Sequence, residues 1–170
     1  IPFPDDSLRT EQIATVASDR QGSLWVGTSR GLRCYDSSFR RKEIPPFPTE
    51  VKALLVDQHG LVWIGTDGQG VPRYKNGEFS FLRRGDGLAH DIVTSLFEDR
   101  EGSIWIGTRE GLSQLTDLKF PIYSAAQGLL PGLYHGLSAS ARGGLWIGTS
   151  HGVSYFDGTT ATNYTTTEGL

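Results

Sequence analysis

Apolar residues come in short runs along this chain, and four runs share one order: Leu24-Trp25-Val26-Gly27-Thr28, Val62-Trp63-Ile64-Gly65-Thr66, Ile104-Trp105-Ile106-Gly107-Thr108 and Leu145-Trp146-Ile147-Gly148-Thr149. Apolar side chains at successive rather than alternate positions are expected of a strand covered on both faces. A further strand pattern precedes each pentad, at Ile13–Ser18, Val51–Val56, Val93–Glu98 and Tyr134–Ala139. Between the two lies Asp19-Arg20-Gln21-Gly22, Asp57-Gln58-His59-Gly60, Asp99-Arg100-Glu101-Gly102 or Ser140-Ala141-Arg142-Gly143. Asp or Ser opening such a group bonds the turn backbone and Gly closing it accepts a positive φ, so each pair reads as a hairpin. Third strands are predicted at 32–35, 70–74, 111–115 and 152–156, and fourth strands at 39–44, 79–83, 120–123 and 160–164. Asn76-Gly77 is the strongest hairpin signal, and Pro45-Pro46-Phe47-Pro48 ends the first unit because proline supplies no ladder donor.

The tryptophans recur at intervals of 38, 42 and 41 residues. A period near forty made of short strands predicts an all-β fold, a β-propeller of four-stranded antiparallel blades. Four repeats are present, at 13–47, 51–84, 92–124 and 133–166. The connectors carry their own echo in Gly87-Leu88, Gly128-Leu129 and Gly169-Leu170, and Leu8 to Leu170 spans 162 residues, close to four periods. Terminal blades would expose apolar faces, so the four units are expected to belong to a larger ring.

Within the first strands the third position is always small: Thr15, Ala53, Ser95 or Gly136. It is expected to admit the indole of a neighbouring blade. The tryptophans are read as packing residues, each worth up to roughly 4 kcal/mol on burial and about 3–5 kcal/mol on truncation to alanine. Glycine weakens a strand unless a bulge or close backbone approach demands it, so four pentad glycines predict such a demand. The threonine that follows has a hydroxyl able to bond the next turn.

Composition narrows the classes. Of 170 residues, 37% are hydrophobic and 22 are glycine, enough for a core, while no apolar run approaches the roughly 20 residues of a membrane span. A net charge of −3 with both signs interspersed gives no footprint for nucleic acid. The single cysteine, Cys34, reads as a small apolar strand residue, and no cofactor or metal site is expected, since no Cys/His cluster has ligand spacing and the Asp-x-x-Gly turns lack the carboxylates of a calcium loop. With no methionine, the chain is expected to be a piece of a longer protein.

Antiparallel order places the second-to-third turns and the blade connectors on one face. That face is the chemically varied one, with Arg30, Asp67, Gln69, Arg109, Glu110 and His151 from turns and His90, Asp91, Tyr134 and His135 from connectors or strand starts. Varied polar loops on a rigid scaffold are where binding function sits, so these ten are the candidate ligand residues. Catalysis is not expected: adjacent residues such as His90 and Asp91 point apart in an extended segment.

The run Asp99-Arg100-Glu101-Gly102-Ser103-Ile104-Trp105-Ile106-Gly107-Thr108-Arg109-Glu110-Gly111-Leu112, with its weaker copies, resembles the regulator-propeller repeat of bacterial two-component sensors. The resemblance covers essentially the whole chain. It implies a non-catalytic periplasmic or extracellular sensory propeller, commonly of about seven blades and often paired with a second one. Such a propeller is expected to be joined through an immunoglobulin-like domain and a membrane helix to a histidine kinase or diguanylate cyclase, with a dimer formed through the receptor as a further expectation. It further implies a small-molecule or oligosaccharide ligand, since some relatives look like carbohydrate sensors. Two alternatives stand beside it: a propeller lyase of the streptogramin-inactivating kind, which needs a histidine/glutamate metal site, and a protein-interaction scaffold with no ligand pocket.

Overall fold

The computed structural model describes residues 6–116, 122–141 and 143–166. Their fifteen strands form four consecutive antiparallel sheets. The first holds β1 (Ile13–Ser18), β2 (Leu24–Thr28) and β3 (Gly31–Tyr35). The second holds β4 (Val51–Val56), β5 (Val62–Thr66), β6 (Val71–Lys75) and β7 (Glu78–Leu82). β8 (Val93–Glu98), β9 (Ile104–Thr108), β10 (Leu112–Leu115) and β11 (Ile122–Tyr123) make the third. β12 (Tyr134–Ala139), β13 (Leu145–Thr149), β14 (Gly152–Phe156) and β15 (Ala161–Tyr164) make the fourth. Each sheet runs in chain order, and from sheet to sheet the first strands β1, β4, β8 and β12 lie against one another, which places them innermost. This is the blade architecture of a β-propeller, present as part of a larger ring.

The first sheet departs from the expected four strands. Residues 39–44 form no strand; they attach to β3 through a single bridge between Tyr35 and Arg41 and a bond from Lys42 N to Cys34 O. Phe39 lies in the left-handed region (φ 59°), and past Ile44 the prolines at 45, 46 and 48 bring no N–H to extend the pairing; the carbonyl of Phe47 rejoins the sheet, accepting from Leu32 N at 3.3 Å. The predicted fourth strand of the third unit begins at Phe120, and the connector echo Gly169-Leu170 and the turn residue Arg142 are likewise outside the described residues. The two described echoes have a common structure. Short 3₁₀ turns at Arg84–Asp86 and Ala125–Gln127 end in Gly87 (φ 108°) and Gly128 (φ 83°), and the left-handed glycine drops Leu88 and Leu129 into the core.

The core lies between sheets rather than within them. Trp25, Leu32 and Cys34 pack with Val51, Val62 and Ile64 of the next sheet. Trp63, Val71 and Leu82 pack with Val93, Ile104 and Ile106, and Trp105 and Leu112 with Tyr134, Leu145 and Ile147. The pentad glycines explain themselves here. A Cβ on Gly27 would come within 2.5 Å of Val51, and one on Gly65 within 2.9 Å of Val93. On Gly107 it would strike Ser95 Oγ and lie 2.9 Å from the Tyr134 carbonyl. The small third position of each first strand pairs with this glycine, as in Ala53 with Gly65. What the notch admits is therefore the first residue of the next inner strand, not an indole as the sequence pattern suggested. The indole lies two residues back on the same strand, farther along the interface.

The ends of the array lack that cover. Trp25, Trp63 and Trp105 are at most 7% exposed, whereas Trp146 is 38% exposed. Ile13, the counterpart of the buried Val51, Val93 and Tyr134, is 51% exposed. Both faces match the interfaces formed three times within the chain, which is what membership of a larger ring requires.

Candidate functional site

Every inner hairpin carries the same irregularity. Val51 pairs with Thr66 and Ala53 with Gly65, so three residues of β4 oppose two of β5 and Lys52 is left over. The same shift occurs between Ile13 and Thr15, between Val93 and Ser95, and between Tyr134 and Gly136. These are β-bulges, and their extra residues are Ala14, Lys52, Thr94 and His135. Each sits where the innermost strand reaches the rim.

The pentad threonine fixes the other half of the rim. Thr66, Thr108 and Thr149 donate to the carbonyls of Gly70, Gly111 and Gly152 at 2.7–3.1 Å, while Thr28 lies 3.0 Å from the Gly31 carbonyl and gives its proton to Glu11 Oε2 at 2.6 Å. The same hydroxyls accept from Arg30 N, Gln69 N, Glu110 N and His151 N at 3.0–3.3 Å. The hydroxyl thus closes the turn on itself, as expected. The residue just after each threonine, Ser29, Asp67, Arg109 or Ser150, is held at the inner edge: the N–H of Ser29, Arg109 and Ser150 bonds the carbonyl of Gln12, Ile92 and Leu133, and Asp67 bridges to Ile92.

Bulge and turn positions meet in a groove of about 630 Å³ lined by Lys52, Asp67, Ile92, Thr94, Arg109, Gly132, Leu133, His135 and Ser150. It crosses the second, third and fourth sheets, each supplying one pair: Lys52 with Asp67, Thr94 with Arg109, His135 with Ser150. Lys52 Nζ is shared between Glu50, at 2.7 Å, and Asp67, at 3.8 Å. The hydrogen bond to the Glu50 carboxylate pushes the lysine pKa up, against the opposing effect of burial. Thr94 commits its proton to the Tyr134 carbonyl at 2.6 Å, joining the third and fourth sheets. The exposed side chains of Arg109 and His135 have no hydrogen-bond or ion-pair partner among the described residues. Ile92 and Leu133, half-buried, supply an apolar floor.

Of the ten residues singled out from sequence, the groove gathers Asp67, Arg109 and His135. Arg30 faces a separate hollow with Leu32, Arg33, Arg41 and Phe47. His90 and Glu110 face each other instead, His90 Nε2 lying 3.6 Å from Glu110 Oε1, with Arg84 Nη2 3.9 Å from Glu110 Oε2. His90 Nδ1 accepts from Ile92 N at 2.9 Å, so the neutral ring carries its proton on Nε2. Asp91 Oδ1 accepts from Arg84 N at 2.8 Å and secures the connector. Tyr134 is buried, its hydroxyl donating to Leu130 O at 3.0 Å, and is a core residue. Gln69 is exposed on its turn, and His151 Nδ1 lies 3.1 Å from Ser150 Oγ at the groove's edge. Lys52, Thr94, Leu133 and Ser150 were not among the ten. The signal available for the bulge residues was a variable residue between two constrained ones, the apolar first and small third positions of each first strand. Among the described residues there is no group of three or more His, Cys, Asp or Glu side chains arranged to hold a metal.

The sequence profile of the two-component regulator propeller family matches residues 7–30 and 87–110. A histidine kinase from Formosa agariphila is 28% identical over 127 residues, which is 65% of this chain and 9% of that protein. Among solved structures, the extracellular domain of a hybrid two-component system from B. thetaiotaomicron superposes with TM-score 0.87 at 18% identity, over all of this chain and 25% of that one. Virginiamycin B lyase from Staphylococcus aureus superposes with TM-score 0.71 at 15% identity, over 91% of this chain and 55% of the lyase. At these identities the structural matches establish the propeller fold. The chain spans a small part of the two sensor relatives.

Proposed function

We propose that this chain, which carries two-component regulator propeller repeats, is the ligand-binding part of an extracytoplasmic signalling receptor and takes a small, hydroxyl-rich ligand such as an oligosaccharide on its inner rim. One observation carries the reading. The repeated residues are consumed by the scaffold, Asp and Trp in the turn, Gly in the notch and Thr in the turn closure, whereas two positions that differ between repeats, the bulge residue and the residue after the threonine, converge in a groove across three sheets. Ligand sites are clefts with a few placed polar groups on an apolar lining, and Ile92 and Leu133 with Asp67, Arg109, His135 and Ser150 have that composition.

Binding without chemistry fits the same geometry. His90 is turned to Glu110, His135 lines the groove, and His59 lies beside Trp63 on the opposite face. Among the described residues no acid–base pair points at a common reacting atom. Localisation outside the cytoplasm follows the sensor relatives, whose solved parts are described as extracellular domains.

Calorimetric titration with a panel of oligosaccharides tests the reading, using the double variant Asp67→Asn/His135→Gln on the rim and Arg100→Ala on the opposite turns. Loss of binding in the rim variant alone is the expected result. Binding that responds only to Arg100→Ala places the ligand on the other face and removes the proposal.

A further inference from the structure

The groove has an internal order beyond its lining. Its two side-chain positions per sheet correspond from repeat to repeat: the bulge residue, set by the same register shift, and the residue after the pentad threonine, at the start of a threonine-closed turn that is one residue longer in the second sheet. The pairs are Lys52/Asp67, Thr94/Arg109 and His135/Ser150. In the first sheet the equivalent pair, Ala14 and Ser29, is uncharged and does not line the groove. The rim thus reads three steps, one sheet per step.

The charge of each step differs. At the first, Lys52 is already neutralised by Glu50 and Asp67, leaving a pair of opposite charges suited to bonding hydroxyls from both sides. At the second, Arg109 is a full positive charge with no ion-pair partner among the described residues, beside a threonine whose proton is committed to the Tyr134 carbonyl. At the third, His135 and Ser150 offer polar groups able to bond hydroxyls. A guanidinium presents parallel N–H donors matched to a carboxylate or sulfate. The chain as a whole has a net charge of −3, so general electrostatics do not favour an anion here; a local partner for Arg109 does.

From this we infer that the groove recognises a linear oligosaccharide of at least three units with an acidic group on the unit facing Arg109 and neutral, hydroxyl-bearing units on either side. The inference rests on the sensor reading above and specifies its ligand. Lys52/Asp67 and His135/Ser150 set affinity for the chain of sugars, and Arg109 sets the preference for acid.

The test compares two hexasaccharides on the full 170-residue chain: one from hyaluronan, with alternating acidic and neutral units, and one from chitin, in which all units are neutral. The acidic probe is expected to bind tighter by roughly tenfold or more, the worth of one charge-assisted pair, with a preference that shrinks as salt rises. Arg109→Gln should abolish the preference by weakening the hyaluronan probe roughly tenfold more than the chitin probe, and Lys52→Gln or His135→Gln should weaken both probes alike. All three side chains are exposed or half-exposed, and unchanged unfolding curves verify that the variants fold. Equal binding of both probes, untouched by Arg109→Gln, overturns the acidic class and leaves the sensor reading standing. Failure of the hyaluronan probe to bind while the chitin probe binds does the same. Binding that survives all three substitutions together removes the groove, and the sensor reading with it.

Discussion

Asp57 accepts the indole N–H of Trp63 at 2.9 Å with one carboxylate oxygen while the other accepts the backbone N–H groups of His59 and Leu61, both at 2.9 Å. Asp19 with Trp25 and Asp99 with Trp105 repeat the arrangement, at 3.3 and 2.7 Å. The turn carboxylate therefore does two tasks, closing the hairpin and orienting the side chain that fills the gap to the next sheet. An indole buried without a partner for its N–H is costly. Asp57→Ala, which deletes three bonds and orphans that donor, is expected to destabilise by about 2–4 kcal/mol in urea unfolding. Asp19→Ala should cost less, because its indole bond is longer.

The same chemistry sets a pH dependence. Burial raises the pKa of Asp19, but the N–H and hydroxyl of Ser23, the Trp25 indole and the Gln21 N–H outweigh it and hold the carboxyl below its ordinary value of 3.8. A depressed folded-state pKa means stability that is complete above 3.8 and is lost as pH falls through the lower folded value. Asp36 and Asp157, held low by the N–H groups of Arg40 and Thr160, act in the same direction. Thermal midpoints should decline as pH drops below about 4, and Asp19→Asn should flatten that decline. An unchanged slope in the variant removes the turn carboxylate as its source.

Glycine at the notch is expected to matter according to what faces it. Gly107→Ala forces a methyl against Ser95 and the Tyr134 carbonyl and should cost about 1–3 kcal/mol, the usual penalty of overpacking. Gly148→Ala meets nothing nearer than 3.7 Å and should fall within about 0.5 kcal/mol of the parent. Introduced into a longer protein in which another blade follows, Gly148→Ala should become as costly as Gly107→Ala. Denaturation of both variants in both contexts checks this.

Much of this fold is written locally. The pentads, the Asp-x-x-Gly turns and the connector leucines each depend on short-range turn chemistry and β propensity, and among the described residues the pentads, the turns, Leu88 and Leu129 lie where the pattern placed them. The first sheet's missing strand shows the limit: residues 39–44 take a strand's place in the repeat, but four charged residues stand in a row between Phe39 and Ile44, Phe39 is left-handed (φ 59°) and the prolines at 45, 46 and 48 give no N–H to extend the pairing beyond Ile44. The rim was legible only in part for a different reason. Asp67 and Arg109 follow the pentad threonine and can be counted from it, whereas Lys52 and Thr94 reach the rim through bulges, and a one-residue shift of register leaves no trace in hydrophobicity. Tyr134 looked polar and stands at a strand start, yet it occupies the knob position of Val51 and Val93, and equivalence in the repeat overrides residue type.

Cys34 provides a probe of how the first two sheets separate. It is 1% exposed between Trp25, Leu32 and the second sheet, and burial pushes its thiol up to about 11, with Lys42 opposing and the carboxylates of Asp19 and Asp36 adding to the shift. Thiolate is the reactive form, so alkylation near pH 8 has to wait for an opening that both exposes the sulfur and restores an ordinary pKa. Labelling should therefore be slow and rise with urea in step with local opening. Gly27→Ala forces a methyl toward Val51 across the same interface and should speed it by roughly fivefold or more for each 1 kcal/mol of interface destabilisation. Fast labelling in the absence of denaturant would show instead that the interface between the first and second sheets is open in solution.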